Sequence, residues 1–454
     1  MTAPARRAAL RVLRDVHSKR ADLPGAQARV RTTLSDQRDR ALATEIAVGT
    51  LRWRASLDFI IGEASSRPLT RIDSDVLDLL RLSTYQLSYL KRVPNHAVVN
   101  DAVELARDLG KTSAATFVNA VLRAITKENF SSRLPSLPTA TDLKDRDCRQ
   151  QALDYLSVTR SHPRWLVERW YDRFGAEATL EWTRFNNTPA PITLRVNTLV
   201  ISAQQLADEL ALDGVETKTG RWTPNALIVT RGNPLGSTLA TRGLFWFQDE
   251  AAQLVAELVT AQPGDHVLDA CASPGGKSLI VAGAMADQGL LVSADIRPNR
   301  TALLSRTLAQ AQTLCTQVVR LDARHPPFGP IHQWVVLDVP CSGFGTLRRD
   351  PDIKWKRTAD HLSQLVATQL ALLDGAATAV QPGGRLLYAT CSSEPEENQA
   401  VVKRFLENHP TFTIERPTVP RLAPLIDQDG FFQTLPHRDR LEAFFAATLK
   451  RNVT

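Results

Sequence analysis

Apolar residues recur at helical spacing through the first part of the chain, in Ala8 to Val16, Ala41 to Leu51, Ser74 to Leu90, Ala97 to Leu109 and Ala114 to Ile125. No strand-like alternation of useful length interrupts them, so the segment to about Lys127 is expected to be an all-α bundle. Asn129 to Asp147 then brings Ser131, Ser132, Pro135, Ser136 and Pro138 into a polar stretch, an expected linker. From about Cys148 to Gln262 possible strands, Ile192 to Val196 and Ala226 to Val229, stand around a helix at Ala203 to Leu212, which predicts a small α+β connector.

Beyond it the pattern alternates. His266 to Ala270 precedes a helix from about Lys277, and Leu290 to Ile296 precedes one from about Asn299. Val318 to Leu321, Trp334 to Val339, a long helix near His361 to Val380 and Arg385 to Ala389 follow. Such alternation predicts a doubly wound parallel sheet with its ligand crevice at the strand carboxyl ends. Three domains are therefore expected, at 1–130, 148–262 and 263–454, and a chain of 454 residues is too long for one hydrophobic core.

Charge sharpens the picture of the first domain. Residues 1–130 hold 21 Lys and Arg against 14 Asp and Glu, an excess equal to the +7 of the whole chain. A localised basic surface is the footprint of a polyanion, with nucleic acid the leading candidate. The five cysteines show no CxxC or Cys/His spacing for zinc, and their odd number argues against a disulfide framework. No metal is expected, and a reducing cytoplasm fits. No apolar run of about 18 residues exists, so neither a spanning helix nor a membrane partner is expected. The Arg-rich start lacks the apolar core of a secretory signal and reads as an amphipathic helix.

Candidate chemistry gathers at the strand ends. Asp269-Ala270-Cys271-Ala272-Ser273-Pro274-Gly275-Gly276-Lys277-Ser278 is a glycine-bearing turn that lets backbone N–H groups approach a ligand at a helix N-terminus. It is no Walker loop, because Cys271 stands where that loop needs its first glycine. Asp295 ends the second strand, where a carboxylate can accept both hydroxyls of a ribose; Asp322 follows the third strand and Asp338 the fourth. One such Asp is more often a turn or cap residue, but four at corresponding ends favour a nucleoside-like cofactor. Cys341 and Cys391 each close a buried strand and lead into polar loops, Ser342-Gly343-Phe344-Gly345 and Ser392-Ser393-Glu394-Pro395. A single Cys is usually a small buried hydrophobe; thiols in this crevice are suited to adding to an electron-poor ring carbon.

Asp269 to Ser278, Asp338-Val339-Pro340-Cys341-Ser342-Gly343 and Thr390-Cys391-Ser392 resemble the motifs of S-adenosylmethionine-dependent RNA cytosine-5 methyltransferases, in particular the bacterial RsmB (Sun/Fmu) type that modifies small-subunit ribosomal RNA. The resemblance covers essentially the whole chain and implies a multidomain protein. Its parts would be an N-terminal all-α NusB-like RNA-binding bundle, the α+β connector and a C-terminal α/β Rossmann-like methyltransferase domain. It implies that Cys271, Ala272, Ser273, Pro274, Gly275, Gly276, Lys277, Asp295, Asp322 and Asp338 contact S-adenosylmethionine or frame its pocket. It further implies that Cys391 is the nucleophile and Cys341 the second, product-releasing cysteine. Asp338 would hydrogen-bond the ring edge of the target cytosine. RNA is the expected partner, with no obligate protein partner and a monomeric chain. One departure is local: such proteins usually carry Asp-Gly before a Phe-Phe near the C-terminus, and this chain has Glu442-Ala443-Phe444-Phe445.

Alternatives remain open at this level. The roles of the cysteines are exchanged in DNA cytosine-5 methyltransferases, another RNA such as tRNA is a possible substrate, and a non-catalytic RNA-binding or antitermination factor would use both thiols for packing. Lys354-Trp355-Lys356-Arg357, after Arg348-Arg349, either grips phosphate or packs its Trp on the domain. Glu396, Glu397 and Asn398 read as a first helical turn favoured by the helix dipole, and His266 as a packing residue in its strand.

Overall fold

The structure, a computed structural model, describes residues 3–138 and 146–453. It divides into two compact units, Met1–Pro189 with Leu347–Lys356, and Ala190–Thr346 with Arg357–Thr454. Residues 148–189, read above as part of the connector, thus pack with the N-terminal helices. Residues 139–145 of the expected linker lie outside the described residues.

The first unit carries helices at Pro4–His17, Leu23–Arg31, Gln37–Arg52, Arg54–Ser65, Ser74–Tyr89, Asn95–Asp108 and Ala115–Lys127. Helix starts follow capping chemistry: Asp22, Asp36 and Asp73 each accept hydrogen bonds from the first-turn N–H groups, a contribution of about 1 kcal/mol apiece. Ala5, Ala9, Val12, Leu13 and Val16 bury one stripe of the first helix in a core shared with Ala43, Ile46, Ala47, Leu79 and Leu80. Two helices escaped the periodicity reading. Leu23–Arg31 is short and opens on Pro24 and Gly25, and Arg54–Ser65 follows the preceding helix after the single non-helical residue Trp53. A longer helix, Arg164–Asn186, is interrupted at Gly175, whose φ of 82° only glycine adopts readily.

In the second unit β1 (Thr193–Val196), β2 (Glu216–Thr219), β3 (Ala226–Arg231) and β4 (Phe245–Phe247) form an antiparallel sheet in the order β2-β3-β1-β4. The helix Ala203–Leu212, opened by a Ser202/Gln205 capping box, buries Leu206 and Leu210 against Leu194, Val196 and Leu227.

The larger sheet comprises β5 (His266–Asp269), β6 (Leu290–Asp295), β7 (Thr316–Arg320), β8 (His332–Asp338), β9 (Val380–Thr390), β10 (Phe412–Ile414), β11 (Phe432–Thr434) and β12 (Phe444–Arg451). Its order is β10-β12-β9-β8-β5-β6-β7, with β11 on β12. Both faces are covered. Leu268, Val335, Leu337, Leu386 and Tyr388 enter one core, while Val267, Trp334, Val336, Leu387 and Ala389 enter the other. That is why these strands read as continuous apolar runs. The sheet is not wholly parallel as expected: β12 runs antiparallel to β9, β10 and β11. His266 is also corrected, since as the first residue of β5 it is exposed rather than packed.

The chain proceeds from β5 outward through β6 to β7, then returns to place β8 on the other side of β5. This reversal makes the carboxyl ends of β5 and β8 the switch point, where the loops part and open a crevice. Asp269 and Asp338 end those two strands.

Candidate active site

Cys341 and Cys391 leave the ends of adjacent parallel strands, β8 and β9, and their Sγ atoms lie 3.0 Å apart. Both are half-buried. The hydrogen bond to Cys391, burial, and the negative charges of Cys391, Glu397 and Asp338 push the Cys341 thiol well above its ordinary range. Two sulfurs this close share a proton, so the raised affinity belongs to the pair.

Lys277, in the first turn of the helix Gly276–Ala284, points to the same place. Its Nζ bonds Asp338 Oδ2 at 2.6 Å and lies 5.8 Å from the centre of the Phe444 ring. Burial opposes the ammonium charge, but Asp338 outweighs it and holds the Lys277 pKa above the ordinary lysine value, and an ionised Cys391 acts in the same direction. An ammonium thus stands within electrostatic reach of Cys391.

The glycine turn and its neighbours make the adjoining part of the crevice. Asp269 is buried and accepts from Ser278 Oγ at 2.7 Å; burial, reinforced by Asp338, pushes its carboxyl up to about 7. Ala272 N donates to Ala294 O, and Ser273 is clasped by Arg300 through its Oγ and its carbonyl. Pro274 and then Gly275, at φ 105°, turn the chain; a Cβ on Gly275 would fall 3.0 Å from Leu304 Cδ1. Burial pushes the Cys271 thiol up, aided by Asp269, Asp338 and Asp295. Asp295 Oδ1 accepts from Arg297 N at 3.0 Å. Asp322 stands apart: Arg324 grips both its oxygens, and that hydrogen bond holds its pKa low.

This crevice fits S-adenosylmethionine. The helix from Gly276 has no side-chain cap, so its first N–H groups are available to a carboxylate. Gln248 Oε1, shielded from solvent and without a hydrogen-bond partner among the described residues, would lie 3.0 Å from a Cβ on Gly276. It is an acceptor placed for an amino or hydroxyl donor. Asp269 and Asp295 add carboxylates at the ends of the neighbouring strands β5 and β6.

The departure at Glu442-Ala443 leaves the local geometry closed. Ala443 N donates to Gly345 O at 3.0 Å, and Gly345 N donates to Cys391 O at 2.9 Å, so β12 enters directly beside both cysteine loops.

Of the two readings left open for Lys354-Trp355-Lys356-Arg357, the packed Trp holds, and the reading of Glu397 changes. Lys354 is buried, with Nζ donating to the carbonyls of Arg52 and Ser161 and to Asn187 Oδ1, and Trp355 Nε1 donates to Leu51 O. These side chains tie Leu347–Lys356 into the first unit and are not a phosphate grip. Glu397 is likewise no exposed dipole partner: it is fully buried and bonds the loops of both cysteines. Sequence reasoning missed Glu397 together with Gln369 and Asn398. The only local signal was a run of polar residues after Cys391 where an apolar strand had just ended.

The description "16S rRNA methyltransferase RsmB/F" matches residues 256–450, "NusB family" matches 3–127, and a ferredoxin-like domain of the RsmF/B-like methyltransferases matches 162–235. A probable ribosomal RNA small subunit methyltransferase B of Bacillus subtilis is 33% identical over 92% of each chain. The chain belongs to the RsmB/F methyltransferase family. The ribosomal RNA small subunit methyltransferase B of Pseudomonas putida is 35% identical over 83% of each chain. In fold, the crystal structure of PH0851 superposes with a TM-score of 0.82 at 24% identity, covering 99% of each chain. The family assignment makes this an S-adenosylmethionine-dependent RNA methyltransferase with a NusB-like N-terminal domain.

Proposed function

We propose that the chain methylates carbon 5 of a cytosine in small-subunit ribosomal RNA through a covalent adduct with Cys391. The observation that carries this reading is the thiol pair, Sγ to Sγ 3.0 Å, beside the Lys277–Asp338 ion pair at the switch point of the sheet. Carbon 5 of cytosine is a poor nucleophile. Addition of the Cys391 thiolate at carbon 6 turns the ring into an enamine whose carbon 5 can attack an electrophile. S-adenosylmethionine, when bound, supplies the methyl group on a sulfonium.

The chain's own groups then divide the work. Asp338 has Oδ2 bonded to Lys277, and Oδ1 is assigned to the N4 amino edge of the ring. Lys277 balances negative charge at Asp338 and at the attacking sulfur. After methyl transfer a water molecule at Cys341 takes the carbon 5 proton, the C–H electron pair re-forms the carbon 5–carbon 6 double bond, and the Cys391–carbon 6 bond breaks to restore the thiolate. Asp295, Gln248 and the turn from Cys271 to Lys277 hold the cofactor; Asp322, engaged by Arg324, frames rather than touches it. The reaction needs a base out of its stack, so a loop or opened segment of RNA is the substrate form.

The Thr390-Cys391-Ser392 motif, which resembles that of the RNA enzymes, favours Cys391 over the exchanged assignment. Incubation of each Cys→Ala variant with substrate RNA and S-adenosylmethionine, followed by a denaturing gel, tests it. Cys341→Ala is expected to accumulate a slow protein–RNA band and Cys391→Ala to give none and be inactive. The opposite pattern would reverse the roles, and activity in both without a band would end the covalent mechanism.

A further inference from the structure

The two cysteine loops touch directly, through Ser342 Oγ and Ser392 Oγ at 3.0 Å and through Gly345 N and Cys391 O at 2.9 Å, and are joined as well by one buried side chain that belongs to neither. Glu397 ends the short 3-10 turn Pro395–Glu397 and is fully buried. Its Oε1 accepts from the backbone N–H of Ser342 at 2.8 Å and from Gln369 Nε2 at 2.9 Å, and its Oε2 accepts from Ser392 Oγ at 2.5 Å. Ser342 directly follows Cys341 and Ser392 directly follows Cys391. The carboxylate therefore bonds both loops one residue beyond each sulfur-bearing residue.

Its neighbours complete the grip from the other side. Gln369, buried on the helix Asp360–Ala377, also donates to Pro340 O at 3.0 Å, which secures the residue before Cys341. Asn398 accepts from Thr390 Oγ1 at 2.6 Å and donates to Ser392 O at 3.0 Å, spanning Cys391. The Glu397 carbonyl is itself fixed by Tyr388 Oη at 2.6 Å. Each cysteine is thus held at both flanking residues by one polar cluster, in which Glu397 bonds both loops from outside them and orients the Ser342–Ser392 contact.

We infer that Glu397 is a positioning residue that sets the separation of Cys341 and Cys391. The inference rests on the reading of these thiols as the reacting pair, but its test does not use methylation. In the full chain without RNA, diamide converts two neighbouring thiols to a disulfide by accepting their two hydrogens on its N=N bond. The rate of the Cys341–Cys391 disulfide, followed by peptide mapping, reports how well the sulfurs are held together. Glu397→Ala is expected to slow it by about tenfold or more, the scale on which small misplacements of reacting groups act. Glu397→Gln keeps an acceptor for the two N–H donors and offers an amide N–H to Ser392 Oγ, so it is expected to restore the rate to within about threefold.

A fold that had merely loosened would react faster with iodoacetamide, whereas a broken brace slows pairing at an unchanged alkylation rate. Gln369→Leu, similar in volume, removes the other support of Oε1 and is expected to slow pairing as well; it carries the test if Glu397→Ala does not fold. Pairing at the wild-type rate in the folded Glu397→Ala variant, or in Gln369→Leu when that variant carries the test, overturns the inference. Slowed pairing alongside full methylation by Cys391→Ala would leave the brace standing and remove the nucleophile. Unchanged pairing alongside an inactive Cys391→Ala would do the reverse.

Discussion

Gly345 is the position at which a single methyl group is expected to disturb both cysteine loops. Its N–H donates to Cys391 O and its carbonyl accepts from Ala443 N. A Cβ built there would overlap the Ala443 carbonyl oxygen and lie 2.7 Å from the Cys391 carbonyl oxygen. Both obstacles are backbone, so no side chain can swing aside, and relief must move the loop. Overpacking costs about 1–3 kcal/mol, and weakening two backbone hydrogen bonds adds about 1 kcal/mol each. Gly345→Ala is therefore expected to lose about 3–5 kcal/mol, a fall in melting temperature of roughly 6–20 °C for a unit of this size. Because the displaced atoms include the Cys391 carbonyl, methyl transfer to RNA should fall with stability, while calorimetric binding of S-adenosylmethionine persists below the melting range. A variant that melts within about 2 °C of wild type and transfers methyl groups at full rate would refute the close approach.

Asp269, with its folded pKa raised to about 7 from 3.8, binds its proton more tightly folded than unfolded. Its contribution to stability is largest below the unfolded pKa and is lost as pH rises toward 7, by at most roughly 4 kcal/mol. Asp269→Asn should flatten that fall in denaturant midpoints between pH 5 and 8, and an identical slope in both proteins would count against it. Asp295→Ala should weaken S-adenosylmethionine binding at least about tenfold, the loss of roughly 1.4 kcal/mol, in a chain with unchanged melting; calorimetric titration decides it. Arg11 and Arg20 line a surface cavity of the N-terminal bundle with Arg7 and Arg14, and neither has an ion pair among the described residues, whereas Arg7 and Arg14 pair with Asp108 and Asp75. Changing both Arg11 and Arg20 to Gln should lower the slope of log RNA affinity against log salt by roughly 1.4–1.8. Wild-type slopes would show that this face does not meet phosphate.

Elements whose signal is local were legible in the chain. The helix Ala203–Leu212 carries its own capping box and apolar stripe, and the strands β5, β6, β8 and β9 carry apolar runs bounded by Asp, Pro or polar loops. The cysteines at the ends of β8 and β9 were legible for the same reason, since a strand ending in Pro-Cys or Thr-Cys before a polar loop is visible without knowing its neighbours. β10, β11 and β4 were not: three residues each is too short for a period to register, and their strand character comes from the partner they bond. The C-terminal β12 is longer, but its antiparallel direction is set by docking on β9.

The sequence by itself determined most of the longer helices and strands, where the glycine turn and the two thiols sit along the chain, and that basic charge collects in the first 130 residues. Those properties depend on neighbours a few residues apart. Tertiary structure alone decided that the two sulfurs meet, that Lys277 turns to Asp338, that Asp322 is engaged by Arg324, that Lys354 is buried in the first unit, and that Glu397 joins loops whose cysteines are 50 residues apart. Strand order brings those groups together, and a side chain's partner is chosen by whichever donor or acceptor burial leaves within reach, because an unmet polar group in the interior costs more than the bond itself returns.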